Sequence, residues 1–193
     1  MQEVKLAPGL YDKNDNLIAS WDELVEKYDI KSAIESHDPD YIMPDILANY
    51  VDVSKLVIDE SVTIIGQDAF LNCTSLTNII IPDSVIRIEN YAFDGCRSLT
   101  SIIIPDSVAI IDAGSFSGCT SLTSITIPDS VTIIGSDAFG GCTNLESITL
   151  PDGVTSIGEG AFSYCTNLTT IYYKGTTTGA PWGAPNATII IDF

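Results

Sequence analysis

Basic residues and histidine are scarce in this chain of 193 residues. Eight Lys and Arg stand against 26 Asp and Glu, and His37 is the only histidine, so the formal net charge is −18. A charge of this sign and size repels nucleic acid and anionic membrane surfaces. No stretch approaches the roughly 18 consecutive apolar residues that a membrane span needs. We therefore predict no nucleic-acid partner and no membrane insertion.

Catalytic motifs are missing as well. The chain has no Gly-rich phosphate loop, no G-x-S-x-G and no His-Glu-x-x-His, and one histidine leaves few groups for acid–base chemistry. We predict no catalytic residues and no cofactor. The first nine residues lack a basic segment followed by an apolar one, so no signal peptide is visible in this chain. An exported protein whose leader was removed, another export route and a cytoplasmic protein all remain open.

What the chain does have is a repeat of 23 residues. Cysteine recurs at this interval, with phenylalanine three residues before it, at Phe70 and Cys73, Phe93 and Cys96, Phe116 and Cys119, Phe139 and Cys142, and Phe162 and Cys165. Units of this length cannot bury an apolar face alone, so they stack into a solenoid around a shared core. The β-branched, alternating end of residues 122–127 predicts one short strand per repeat, paired in parallel about 4.8 Å from the next.

The repeated pattern I-x-x-x-A-F-x-x-C-x-x-L-x-x-I-x-I-P-x-x-V resembles the BspA-like leucine-rich repeats of bacterial surface proteins. The resemblance covers residues 53 to about 176, and residues 9–24 and 180–190 resemble segments that accompany such repeats. It implies a right-handed leucine-rich repeat coil, mostly β with short irregular or helical turns, whose parallel β-sheet lines the concave face. For several family members it also implies adhesion to host proteins or other cells. It favours an extracellular or cell-surface location and implies no catalysis.

Both ends of a solenoid expose an apolar cross-section that terminal segments must cover. We predict a small α+β N-terminal cap over residues 1–52, a half repeat and five full repeats over 53–176, and a C-terminal cap over 177–193. The first cap should hold a hairpin that turns at Asn14 and Asp15, and a helix capped by Ser20 and Glu23. A second helix is predicted near residues 45–50. Large aromatic side chains are mostly buried, so Trp21 and Trp182 are predicted to be lids on the two ends.

Three sets of residues invite a metal or redox interpretation, and a structural explanation accounts for each one better. Asp12, Asn14, Asn16 and Glu23 match positions of a calcium loop, but Leu17 replaces the glycine that this loop requires, and a hairpin explains the same residues. The aspartates of the Pro-Asp turns are typical turn formers, at Asp83, Asp106, Asp129 and Asp152. The five cysteines form no Cys-x-x-Cys pair and fit a column of small, buried, reduced side chains. We predict no metal site.

The predicted binding surface consists of the strand side chains that point away from the core. They form one polar column at Asn78, Ser101, Ser124, Ser147 and Thr170, and a second column at Ile80, Ile103, Thr126, Thr149 and Tyr172, which Val57 begins. An alternative is that Ile and Thr occur here only because they suit β-strands. Another apolar strip, at Ile64, Ile110 and Ile133, is interrupted by Arg87 and Ser156, and it fits either a buried layer or a second contact face.

Three classes of function remain. A non-enzymatic protein-binding or adhesion module comes first, with a basic host or cell-surface protein as the partner that suits the negative charge. A structural or assembly subunit of a larger particle is the second. A carbohydrate-binding or ice-binding face made of Ser-x-Thr rows is the third, and the rows with Ile80 and Ile103 in place of threonine weaken it.

Overall fold

A computed structural model describes residues 6–35, 47, 53–173 and 182–190 of the chain. The described elements, in chain order, are β1 (Gly9–Tyr11), β2 (Leu17–Ser20), α1 (Trp21–Tyr28), α2 (Ile30–Glu35), β3 (Lys55–Val57), β4 (Ile64–Ile65), β5 (Asn78–Ile80), β6 (Arg87–Ile88), β7 (Ser101–Ile103), β8 (Ile110–Ile111), β9 (Ile133–Ile134), β10 (Ser147–Leu150), β11 (Ser156–Ile157), β12 (Thr170–Tyr173) and β13 (Thr188–Ile190). Of the second predicted helix near residues 45–50, only Leu47 lies among the described residues, where it is helical and buried.

Each repeat forms one coil of a solenoid, and successive coils pair in parallel. The predicted strands form the concave sheet, which has two parts in the orders β2-β1-β3-β5-β7 and β10-β12-β13. A second parallel sheet, in the order β11-β9-β8-β6-β4, runs along another side of the coils. The sequence interpretation predicted one strand per repeat and missed this second sheet, because its strands are only two residues long and show no alternation to detect.

The apolar strip of Ile64, Ile110 and Ile133, which Arg87 interrupts, lies on the outer side of this second sheet. Ile64 and Ile110 are half-buried and Ile133 is exposed, so the strip is neither a buried layer nor a fully open face. Arg87 is also exposed, and its Nε donates to Oδ2 of Asp112 at 2.6 Å, one coil further along the solenoid. This ion pair keeps a charged group in the middle of the strip.

The concave sheet is interrupted at the third full repeat. Residues 122–127 form no strand there, and Thr126 alone bridges Ile103 on one side and Thr149 on the other. The backbone bond that enters this coil is long, at 3.5 Å from Thr123 N to Thr100 O. The equivalent bond from Thr77 N to Ser54 O measures 2.8 Å. The coils therefore remain in register across the interruption while the hydrogen-bond ladder is stretched.

Repeated columns of apolar side chains fill the core. The five phenylalanines stack along the solenoid axis with ring centroids 5.0, 5.2, 5.5 and 5.6 Å apart and ring planes within 5° of parallel. All five are fully buried, as are the leucines of the L-x-x-I column. The centroid spacing is close to the distance between paired strands, so the stacked rings and the parallel sheets fix the same repeat distance.

Two turns in each coil require a left-handed backbone, which has positive φ. One column of such residues contains Asn72, Gly95, Gly118, Gly141 and Tyr164, with φ between 58° and 72°. The other contains Asp68, Tyr91, Gly114, Asp137, Gly160 and Gly183. Glycine adopts this conformation without steric cost, whereas a bulky residue such as tyrosine is strained there. Tyr164 is nevertheless present, with φ of 60°, and its side chain is 78% exposed.

At the N-terminal end, the hairpin and α2 cover the edges of both sheets. β1 and β2 form the expected antiparallel hairpin, and β1 also pairs with β3, which extends the concave sheet by two strands. Ser20 and Glu23 form the expected capping box, so that α1 begins at Trp21, which is buried. At the end of α2, the Ile34 carbonyl accepts from Gly66 N at 2.7 Å, beside the edge strand β4 of the second sheet.

At the C-terminal end, Trp182 covers the phenylalanine column. Its ring meets Phe162 edge-on at 6.4 Å between centroids and Tyr173 at 5.3 Å, and it is buried, as predicted. The Trp182 carbonyl accepts from Phe162 N at 3.0 Å. In the earlier coils, a carbonyl of the following coil accepts the equivalent bond. β13 then pairs in parallel with β12 and continues the concave sheet.

Candidate protein-binding face

The two predicted columns lie side by side on the concave sheet. The parallel register places Asn78 beside Ser101 and Ile80 beside Ile103. It places Ser147 beside Thr170 and Thr149 beside Tyr172, and the bridges of Thr126 connect the two halves. Since successive side chains on a strand point to opposite faces, each of these residues projects away from the core while its neighbours are buried. The residues that were predicted as a surface therefore share one face.

Most of these side chains are open to solvent. Ile103 is 80% exposed and Tyr172 is 43% exposed, which are large values for apolar and aromatic residues. Asn78 and Thr170 are half-buried, and the remaining members of the columns are exposed. Val57 is the exception to the expectation, because it is only 5% exposed. It pairs with Gly9 of the hairpin, so the first position of the column lies beside the N-terminal segment.

The sequence interpretation missed the last position of each column. β13 places Thr188 beside Thr170 and Ile190 beside Tyr172, and Ile190 is exposed. These residues follow their neighbours by 18 positions, so the interval of 23 residues skips them. Only the pairing of β13 with β12 assigns these side chains to the concave face.

The height of the concave face changes along the second column. Two large side chains, Ile80 and Ile103, are followed by the short Thr126 and Thr149 and then by the long Tyr172. Next to this step is an open depression of about 720 Å³. We call it the trough, and its lining consists of Asp129, Thr149, Leu150, Pro151, Asp152, Gly153, Tyr172 and Tyr173. Two exposed carboxylates and a half-exposed aromatic ring are thus brought together at the carboxyl ends of the concave strands.

The cysteine column lies inside the core and offers no reactive surface. All five thiols are free and buried, as predicted. Four of them donate to the carbonyl of the phenylalanine 26 residues earlier, as in Cys119 Sγ to Phe93 O at 3.2 Å. Burial raises the pKa of the Cys96 thiol to about 12, and burial also raises the pKa of Cys119. The thiols of Cys96 and Cys119 therefore stay protonated and are poor nucleophiles in the folded chain.

The hairpin uses the carboxylate of Asp12 for its own turn. Asp12 accepts from the backbone N of Asn14 at 2.8 Å and from the backbone N of Asn16 at 2.9 Å, and Asn16 Nδ2 adds a third bond at 2.8 Å. These bonds, with the side-chain amide of Asn16 first, lower the pKa of Asp12. Across residues 6–35, 47, 53–173 and 182–190, no group of three His, Cys, Asp or Glu side chains is arranged to hold a metal ion.

The Pro-Asp turns are stabilised by backbone hydrogen bonds and by the serine that follows the aspartate. Each closes with a backbone bond, such as Val85 N to Pro82 O at 3.1 Å. The serine that follows the aspartate connects the turn to the previous coil, and Ser107 Oγ, for example, donates to Val85 O at 2.5 Å. Ser84 and Ser130 make the same contact. The aspartates at these turns are exposed, so their carboxylates face solvent along one rim of the concave sheet.

The family model described as a BspA-type leucine-rich repeat region matches residues 40–169 in six copies. This chain belongs to that family. The predicted fold class, a leucine-rich repeat solenoid with parallel sheets, is confirmed by this match and by the two parallel sheets of the coils. The BspA-type repeats account for the concave sheet and for the columns of Phe, Cys and Leu described above.

Solved structures of bacterial leucine-rich repeat proteins resemble this BspA-type chain. A leucine-rich repeat protein of T. pallidum is 31% identical with a TM-score of 0.61, and the match covers 71% of this chain and 66% of that one. One from Bacteroides ovatus is 34% identical with a TM-score of 0.54, over 62% and 42% of the two chains. A leucine rich cell surface protein of Faecalibacterium prausnitzii is 37% identical with a TM-score of 0.50, over 67% and 41%. This chain thus spans about two fifths of the last two proteins.

No curated protein matches this chain. Within the part of the chain that the structure describes, no helix has the length and apolar character needed to cross a membrane.

Proposed function

We propose that this BspA-type chain is a non-catalytic module that binds a partner protein through the two columns of the concave sheet. The observation that supports this most directly is the row of exposed Ile80, Ile103 and Tyr172 side chains, which the parallel sheet holds in register. Exposed apolar and aromatic residues beside polar ones are typical of protein contact surfaces. The same face carries the hydroxyls of the polar column, which supply hydrogen bonds at the edge of such a contact.

The net charge favours a basic partner. A chain with a formal charge of −18 attracts a positively charged protein over long range, and it repels a second copy of itself. Such steering acts mainly on the rate of association, which falls as salt is added because ions screen the charges. A partner on a host or cell surface fits this proposal, and so does a location of this chain on a bacterial surface. The family match and the similarity to a cell surface protein of F. prausnitzii support that location.

The test uses capture of proteins from a candidate host-cell surface extract by the immobilised chain. Ile103→Glu and Tyr172→Ala each remove a large contact from the centre or end of the column. Hot-spot residues contribute about 2 kcal/mol or more to an interface, and about 1.4 kcal/mol is tenfold in affinity, so loss of a hot spot should weaken binding at least about tenfold. Ile133→Glu on the second sheet introduces the same charge at an exposed isoleucine and serves as the matched control.

Binding by wild type and Ile133→Glu, with loss in both concave variants at unchanged melting temperature, supports the proposal. The captured protein should also associate more slowly at higher salt. If all four proteins capture the same partners equally well, the concave columns are not the binding site.

A further inference from the structure

We propose that the trough is a cation site that receives a lysine or arginine side chain of the partner. This inference rests on the proposed function, since the trough lies beside Thr149 and Tyr172 of the concave column, and it adds the chemistry of one contact. The trough combines an aromatic wall at Tyr172 with two carboxylates, Asp129 and Asp152, around an open volume of about 720 Å³.

The backbone around the trough is fixed by hydrogen bonds. The turn that carries Asp152 closes through Val154 N to Pro151 O at 3.2 Å, and the turn that carries Asp129 closes through Val131 N to Pro128 O at 3.0 Å. The two turns belong to neighbouring coils, so their backbones are about one strand spacing apart, near 5 Å, and both exposed side chains line the trough. A single ammonium or guanidinium group placed between them contacts both.

The aromatic wall is held in place by its neighbour. Tyr173 is buried, and its hydroxyl donates to the Val154 carbonyl at 3.1 Å, which joins the end of β12 to the turn beside Asp152. Tyr172 is paired in register with Thr149, so the short threonine leaves one side of the tyrosine ring uncovered. In the preceding coils the same position holds Thr126 or Ile103, neither of which offers an aromatic face.

These features select an organic cation over other ligands. A positively charged group is attracted both to the face of an aromatic ring and to carboxylates. The planar guanidinium of arginine does both at once, because it stacks on the ring while its N–H groups donate to oxygen atoms at the edge. A neutral sugar would stack on Tyr172 and donate hydroxyl hydrogen bonds to the two aspartates, but it carries no positive charge to offset theirs. The trough therefore fits a basic side chain on an exposed segment of the partner.

The test compares two double variants that change the charge equally. Asp129→Asn with Asp152→Asn neutralises the trough, whereas Asp83→Asn with Asp106→Asn neutralises the equivalent turns of the two preceding coils. Each pair removes two negative charges from exposed Pro-Asp turns, so any general loss of electrostatic attraction is the same. The probe is the peptide acetyl-Gly-Arg-Gly-amide, titrated into the full isotope-labelled chain and followed by NMR. The matched neutral probe contains citrulline in place of arginine.

We expect the arginine peptide to shift the amide signals of Thr149, Gly153 and Tyr172 saturably. Loss of two exposed ion pairs should weaken this binding about fivefold in the Asp129 and Asp152 variant, with less than a twofold change in the other. The citrulline peptide should bind at least about fivefold more weakly to wild type, because it lacks the charge. Shifts spread over all acidic turns, or an equal loss in both double variants, would overturn the cation site. Equal binding of the citrulline peptide would assign the trough to neutral polar ligands instead.

The results separate this inference from the proposed function. If the trough variants behave alike while Ile103→Glu abolishes partner capture, the concave interface stands and the cation site is wrong. If the arginine peptide binds at the trough while Ile103→Glu captures partners normally, the cation site stands and the proposed interface is wrong.

Discussion

The core columns of Phe and Cys and the concave columns of this BspA-type chain follow opposite rules, although every full repeat contributes to both. In the core, all five coils place phenylalanine and cysteine at the same two positions, and the rings stack with nearly constant spacing. On the concave face, the second column changes from isoleucine to threonine to tyrosine over the same coils. Packing against an identical neighbour constrains the Phe and Cys positions in every coil, whereas a side chain in solvent is free of that constraint. Variation between coils at exposed positions is therefore compatible with the fold.

The comparison is sharpest for two single substitutions of large apolar residues. Phe116→Ala leaves a cavity between two stacked rings, and changes of this type lower the free energy of unfolding by about 3–5 kcal/mol. Ile103→Ala removes a side chain that is 80% exposed and should change it by less than about 0.5 kcal/mol. Urea unfolding of both variants against wild type measures the difference. Equal destabilisation would show that the concave isoleucine is part of the packing.

The cysteines make the core sensitive to high pH. Burial raises the pKa of Cys96 to about 12, while an unfolded thiol has a pKa near 8.5. Below about pH 8.5 the thiol is protonated in both states and contributes no pH dependence. Between about pH 8.5 and 12 only the unfolded chain loses this proton, so the free energy of unfolding falls by about 1.4 kcal/mol per pH unit for each such thiol.

This effect can be isolated with one substitution. Urea unfolding under reducing conditions from pH 7.5 to 10.5 should give a shallower decline for Cys96→Ala than for wild type, by about one proton at the upper end. Tyrosine and lysine also titrate in this range, but they are the same in both proteins. Identical slopes would mean that the Cys96 thiol ionises as easily in the folded chain as in the unfolded chain.

The left-handed turns provide the smallest and most specific test. Tyr164 has φ of 60° in a column that otherwise holds Asn72 and three glycines, and its ring is mostly in solvent. A left-handed backbone costs a residue with a Cβ about 1–2 kcal/mol, part of which the entropy of glycine offsets. Tyr164→Gly should therefore raise the free energy of unfolding by about 0.5–1 kcal/mol.

Two controls accompany this prediction. Tyr164→Ala removes the ring but keeps the Cβ, so it should give no gain. Gly118→Ala places a Cβ at the same turn, where the nearest atom is Gly95 Cα at 3.5 Å, so it should lose about 1 kcal/mol through the backbone alone. A gain in Tyr164→Ala equal to that in Tyr164→Gly would assign the effect to the ring.

The sequence predicted those parts of the fold that repeat at 23 residues, because stacking identical units leaves only one arrangement of the Phe and Cys columns. The hairpin and the start of α1 at Trp21 were also predictable, since turn and capping chemistry is local. The short strands of the second sheet were not, because two residues carry no alternation. Ile190 was missed because its pairing with Tyr172 breaks the period. The trough was missed because it depends on the relative height of side chains in different coils, which no single repeat contains.

The stacked phenylalanines also fix distances along the solenoid axis. Their centroids advance by 5.0–5.6 Å per coil, so Ile103 and Tyr172, three coils apart on the concave face, are held at a distance set by a whole number of units. Loss of one unit between these residues would bring them closer by about 5 Å and would remove one threonine of the second column. The number of coils between two residues therefore sets their separation along the concave face in steps of about 5 Å.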